Sequence, residues 1–155
     1  MSTNNSENNP LSRRDFIRSS ATVGATTALL ATGNFAHAQG STKIRVGLIG
    51  CGGRGTGAAG NCLSSSENVE IYAMADAFKD RLDSSRQNLQ NEFKEKVNVT
   101  EDRCFVGLDA YKQVLAQPVD MVILATPPGF RPIQFPAAVA AGKHIFFEKP
   151  VATDA

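Results

Sequence analysis

From Lys43 onward the chain alternates short apolar runs with stretches whose apolar residues recur at helical spacing. KIRVGLIG (43–50) is β-branched, apolar and ends at glycine, which predicts a buried strand. GTGAAGNCLSS (55–65) predicts a short helix of small residues, and VEIYAMAD (69–76) a second strand. KDRLDSSRQNLQNEFKEK (79–96) carries Leu82, Leu89 and Phe93 on one side of a polar helix, a pattern that covers a sheet. RCFVG (103–107) predicts a short third strand, LDAYKQVLA (108–116) a helix with Asp109 as its candidate N-cap, and VDMVILAT (119–126) a fourth strand. FPAAVAAG (135–142) predicts a helix stopped by Gly142, before a fifth strand at HIFFE (144–148). Such alternation implies parallel βαβ units with right-handed crossovers. The expected fold is therefore α/β, a Rossmann-type doubly wound parallel sheet that takes ligands at the carboxyl ends of its strands.

Residues 1–38 follow another pattern. A polar Asn/Ser start leads into SRRDFIRSS, then the weakly apolar ATVGATTALLATGNF, then small residues at AHA. A charged segment, a short apolar segment and a small-residue cleavage site describe an export signal, here with cleavage expected after Ala38 and a short linker over 39–42. Adjacent Arg13 and Arg14 point to the twin-arginine route, and the stretch resembles its Ser-Arg-Arg-x-Phe-Leu-Lys consensus, with Ile17 and Arg18 as conservative departures. A membrane span needs about 20 strongly apolar residues. This segment is short and diluted by Thr and Gly, so the expectation is the twin-arginine export machinery as partner, a periplasmic or otherwise exported location and no stable membrane anchor.

Charge excludes one class of partner. The 155 residues carry a formal charge of +1, and loss of Arg13, Arg14, Arg18, Glu7 and Asp15 with the leader leaves acids and bases equal in number. No concentrated basic surface exists to neutralise phosphates, so no nucleic-acid partner is expected. Two histidines, His37 and His144, and three widely spaced cysteines, Cys51, Cys62 and Cys104, offer no metal-ligand spacing, and no metal is expected. All three cysteines read as thiols, Cys62 and Cys104 as small apolar fillers.

The candidate chemistry starts in the glycine loop. Gly50-Cys51-Gly52-Gly53-Arg54-Gly55 fits G-x-G-x-x-G: the first glycine for the tight turn, the second for close approach to a pyrophosphate, the third for packing helix on strand. The following helix N-terminus presents unpaired N–H groups to the phosphates. Asp76 ends the second strand, where a carboxylate can accept hydrogen bonds from an adenosine ribose. The cofactor implied is NAD or NADP. Asp76 favours NAD, while Lys79 and Arg81 just beyond it could reach a 2′-phosphate. Methyltransferases that bind S-adenosylmethionine use a similar opening, and the later motifs decide against them.

GLIGCGGRG, ADAF, ILATPPGFRP and AGKHIFFEKPVA occur in this order from about Lys43 to the last residue. In this the chain resembles the N-terminal half of the Gfo/Idh/MocA oxidoreductases, in an exported branch. The resemblance implies that Ala125, Thr126, Pro127 and Pro128 lie along the cofactor and that Glu148 lies near the nicotinamide ribose. It also implies that Lys149 is the catalytic lysine of EKP, moving a proton at the hydroxyl of a sugar-like substrate while the nicotinamide takes the hydride. Many members have a histidine where Arg131 stands here. Arg131 is left between holding an anionic or polyhydroxy substrate and facing solvent, Arg54 between a pyrophosphate and a neighbouring carboxylate, and His144 reads as structural.

Residues 43–155 would form the dinucleotide-binding domain. The resemblance implies a second α/β domain beyond it that supplies the substrate pocket and the homo-oligomer interface, so the sequence reads as an apparently truncated piece. Two functions stay open: an NAD(P)-dependent dehydrogenase or oxidoreductase acting on a sugar or cyclitol, of which this is the nucleotide-binding half, or a noncatalytic nucleotide-binding module or inactive fragment.

Overall fold

The computed structural model describes residues 43–153. The export leader and the 39–42 linker lie outside the described residues. Five strands, β1 (Ile44–Ile49), β2 (Val69–Asp76), β3 (Cys104–Val106), β4 (Met121–Leu124) and β5 (His144–Phe147), form one sheet in the order β3-β2-β1-β4-β5. Every pairing is parallel. The connecting helices are α1 (Gly53–Ser65), α2 (Lys79–Phe93), α3 (Ala110–Leu115) and α4 (Arg131–Ala140).

The strand pattern explains the layering. Alternate residues of a strand face opposite ways, so Val46 and Leu48 join α1 and α2 in one core while Ile49 joins α3 and α4 in the other. Leu48, Leu63, Ile71, Met74 and Leu82 are fully enclosed in the first core, Val114, Val122 and Leu124 in the second. Burial of each such side chain contributes about 1.5–3 kcal/mol. The β1–β2 register slips after Val46, which pairs with Ile71 while Gly47 pairs with Ala73. Tyr72 and Ala73 therefore both pack with the second core. Gly47 is what lets α3 come close, since a Cβ there would run into the Val114 side chain.

Strand positions match the sequence pattern closely; helix starts do not. α1 begins at Gly53 and not Gly55, which puts Arg54 in its first turn. α4 begins at Arg131, four residues before the expected Phe135, with Pro132 in its first turn. A proline is tolerated there because the missing N–H has no intrahelical partner in any case. Asp109 does occupy the N-cap position of α3, but its side chain makes no cap hydrogen bond and pairs with Lys112 at 2.8 Å. Gly142, with φ +66°, supplies the left-handed residue that ends the α4 turn.

Candidate functional site

Strand order reverses between β1 and β4, where the crossovers after their carboxyl ends leave to opposite faces of the sheet and a crevice opens. The loops around it are stitched together by ladder bonds that outrun the strands: Gly50 N–H to the Ala75 carbonyl at 2.8 Å, Ala125 N–H to Ile49 at 2.8 Å, Glu148 N–H to Leu124 at 3.1 Å and Gly107 N–H to Asp76 at 2.9 Å. The resulting cleft has a volume of ≈ 710 Å³.

The glycines divide by what a side chain would meet. Gly50 turns with φ +95°, and a Cβ there would lie 2.6 Å from the Thr126 backbone nitrogen. At Gly55 it would strike the Gly50 carbonyl, so this glycine seats α1 against the end of β1. Gly53 has open space around it, and a Cβ at Gly52 would meet only the Arg81 guanidinium at 3.8 Å. The protein's own packing thus demands Gly50 and Gly55 and leaves room at Gly52 and Gly53, facing the cleft at the N-terminus of α1. The N–H groups of that first turn have no intrahelical acceptor. This is the concave, donor-rich space that a pyrophosphate fits.

Asp76 borders the same cleft from the end of β2. Its Oδ2 accepts the Cys51 N–H at 2.6 Å and its Oδ1 accepts the Phe78 N–H at 2.9 Å. Each carboxylate oxygen keeps a second lone pair for a ligand hydroxyl. On the far side, Ala125, Thr126 and Pro127 follow β4, and Glu148 and Lys149 follow β5. Lys149 is exposed and Glu148 buried. Arg54 reaches across to form an ion pair with Glu148, so of its two candidate partners the carboxylate is the one it holds.

Three expected positions stand off the cleft wall. Cys51 turns its side chain into the first core, and burial, with a smaller effect from Asp76, pushes its thiol far above the ordinary range. Only its backbone serves the loop. Gly55 acts by packing, and Pro128 opens a short 3-10 turn (Pro128–Phe130) behind Pro127. Arg81 lines the cleft with its guanidinium 5.6 Å from the Phe78 ring centre, whereas Lys79 turns outward to Asp83 at 2.8 Å. His144 opens β5, at the end opposite the cleft.

Arg131 does not face solvent, which corrects one of its two readings, and it borders the cleft. It is 3% exposed, and its guanidinium donates to the carbonyls of Thr126, at 2.9 Å, and Pro150. Gln134, one turn further along α4, accepts the Thr126 hydroxyl at 2.6 Å. Sequence reasoning also missed Phe78 and Leu108, exposed apolar side chains on the cleft wall near Asp76. Phe78 could have been noticed from its place two residues after the acid. Leu108 carries no local signal.

Residues 44–155 match the family described as "Oxidoreductase family, NAD-binding Rossmann fold". The chain belongs to the Gfo/Idh/MocA oxidoreductases. Residues 10–29 match the twin-arginine translocation signal, which directs export, typically to the periplasm. Among curated relatives is a "Glycosyl hydrolase family 109 protein" of Solibacter usitatus, 30% identical over 91% of this chain and 33% of its own length. Among solved structures, scyllo-inositol dehydrogenase from Lactobacillus casei with bound NAD(H) and scyllo-inositol is 27% identical, with a TM-score of 0.57 over 73% of this chain and 30% of that one. KijD10, a 3-ketoreductase from Actinomadura kijaniata in complex with NADP, is 29% identical, with a TM-score of 0.54 over 73% and 32%. The chain spans about a third of the length of the curated relatives it matches. As a Gfo/Idh/MocA domain it is an NAD-binding Rossmann unit of the oxidoreductase type. Among the described residues no helix is long and apolar enough to cross a membrane, and no group of three or more His, Cys, Asp or Glu could hold a metal.

Proposed function

We propose that this domain binds NAD, and NADP more weakly, in the cleft between β1 and β4, and serves an oxidoreductase acting on a sugar or cyclitol. The observation that carries the reading is the pairing of open glycine backbone at Gly52 and Gly53 with the backbone-anchored carboxylate of Asp76. Gly52, Gly53 and Arg54 offer N–H groups to the pyrophosphate, with Gly50, Cys51 and Gly55 shaping the turn, and Asp76 accepts from the adenosine ribose. Phe78 and Leu108 form apolar walls for the adenine. Ala125, Thr126 and Pro127 line the nicotinamide end, with Pro128 backing Pro127 and Glu148 near its ribose. The nicotinamide, when bound, supplies hydride acceptance or donation. Lys149, exposed at the same end, hydrogen-bonds the substrate hydroxyl and moves its proton.

Asp76 sets the preference for NAD, because a 2′-phosphate would meet its negative charge. Arg81 lines the same end and tempers that preference by offering a cation. Substrate specificity belongs to protein beyond this Rossmann unit, of the kind the longer relatives contain, and the residues from 43 onward act as its nucleotide-binding domain. A second reading, cleavage of a glycosidic bond, is favoured by the name the curated relatives carry. Both readings use the same cleft, and identification of the products from a glycoside and from a free cyclitol separates them.

Calorimetric titration of the chain with NAD and with NADP tests the binding step. The expected result is one saturable site, tighter for NAD. Absence of heat with either nucleotide removes the reading.

A further inference from the structure

The nicotinamide end of the cleft is built from two separate segments, the turn after β4 that carries Thr126 and the turn after β5 that carries Lys149. In-register pairing of β4 and β5 stops at Leu124 and Phe147, with one further backbone bond from Glu148 to Leu124. Beyond that bond the sheet no longer sets the spacing of the two turns. Arg131, in the first turn of α4, spans the gap: one end of its guanidinium donates to the Thr126 carbonyl and the other to the carbonyl of Pro150, the residue after Lys149.

This arrangement is not what stability alone would select. The side chain is almost wholly enclosed, its Nε–H has no partner, and no carboxylate pairs with it among the described residues. A buried donor left unmade opposes folding, and so does a buried cation without a counter-ion. What the guanidinium does provide is a planar fork of fixed geometry that holds two carbonyls at a set separation. Gln134 adds a second tie to the same wall by accepting the Thr126 hydroxyl.

We propose that Arg131 is a positioning residue for the nicotinamide half of the cleft: it fixes the Lys149 turn against the Thr126 wall, so that the nicotinamide riboside meets a preformed slot. The inference rests on the dinucleotide reading above. It makes no use of Arg131 as a substrate ligand, and the adenosine half of the cleft, held by Asp76 and the glycine loop, is independent of it.

The test compares two probes on the full chain. ADP reports the adenosine diphosphate half, and NADH adds the nicotinamide riboside. Wild type binds both; Arg131→Met weakens NADH about tenfold and leaves ADP within about twofold. A role confined to general stability would move the two affinities together, so an equal loss for both, or no loss for either, overturns the proposal. Should Arg131→Met fail to give a cooperative melt, Arg131→Lys keeps the charge but lacks the fork, and a selective loss of NADH affinity smaller than tenfold is expected. NADH affinity equal to wild type in that variant overturns it too. Wild type that binds neither probe removes the dinucleotide reading, a failure distinct from loss of selectivity in the variants.

Discussion

The Asp76 carboxylate holds the Cys51 N–H at 2.6 Å, tying the end of β2 to the glycine loop after β1. The acid is thereby part of the loop's architecture as well as the proposed ribose acceptor, with its second oxygen held by the Phe78 N–H. Asp76→Ala removes charge-assisted bonds worth about 1.5–3 kcal/mol each. NADH affinity should fall by roughly tenfold or more, and the ratio of NADPH to NADH affinity should rise. Calorimetry with both nucleotides reads the two effects; an unchanged ratio would remove Asp76 from the selection between them.

The glycines should respond oppositely. Gly55→Ala drives a methyl into the Gly50 carbonyl, and because backbone must shift, a loss of about 1–3 kcal/mol or more is expected in thermal or urea unfolding. Gly53→Ala meets nothing in the protein, so its melt should match wild type while dinucleotide affinity falls about tenfold. Equal stability of the two variants would show that the loop is not packed as described.

Gly47 makes a core prediction. Gly47→Ala pushes against Val114 and should cost about 1–3 kcal/mol. In the double variant with Val114→Ala the overpacking is relieved, so the combined loss should be smaller than the sum of the two single losses. Strict additivity would place Val114 elsewhere.

The Cys51 thiol is raised from its ordinary value of 9.0, chiefly by burial and then by Asp76. A group whose folded pKa lies above its unfolded one stabilises fully below the unfolded value and loses that contribution as pH rises past it. Stability should therefore decline as pH climbs through 9.0, and Cys51→Ala should flatten the slope. Cys62 and Cys104 are also raised by burial but stand partly exposed, so a thiol reagent at mildly alkaline pH should modify them before Cys51. Early modification of Cys51 would contradict its place in the core.

The sequence made the sheet legible because its central strands β1, β2 and β4 carry apolar runs that are mostly buried, and VEIYAMAD coincides with β2 residue for residue, while the edge strands β3 and β5 are apolar but partly or largely exposed. The glycine loop and Asp76 stood out because their spacing is local to the first two strand ends, whereas Thr126 and Lys149 were singled out only through the family resemblance; the fold brings all of them to one cleft. Arg131 was not, since nothing in GFRP announces that a cation will be enclosed and spent on carbonyls from two distant turns. Gly47 was hidden for the same reason: within KIRVGLIG it looks like a weak strand residue, and its purpose is a helix far along the chain. The start of α4 was misplaced because Pro132 reads as a break until its position in the first turn is known.

A crystal structure of the chain grown with NADH tests the central claim most directly. The account predicts the pyrophosphate against the N–H groups of Gly52, Gly53 and Arg54, the adenosine ribose on Asp76 and the nicotinamide between Thr126 and Lys149. A dinucleotide seated outside the β1–β4 crevice, or one whose ribose makes no contact with Asp76, would contradict it.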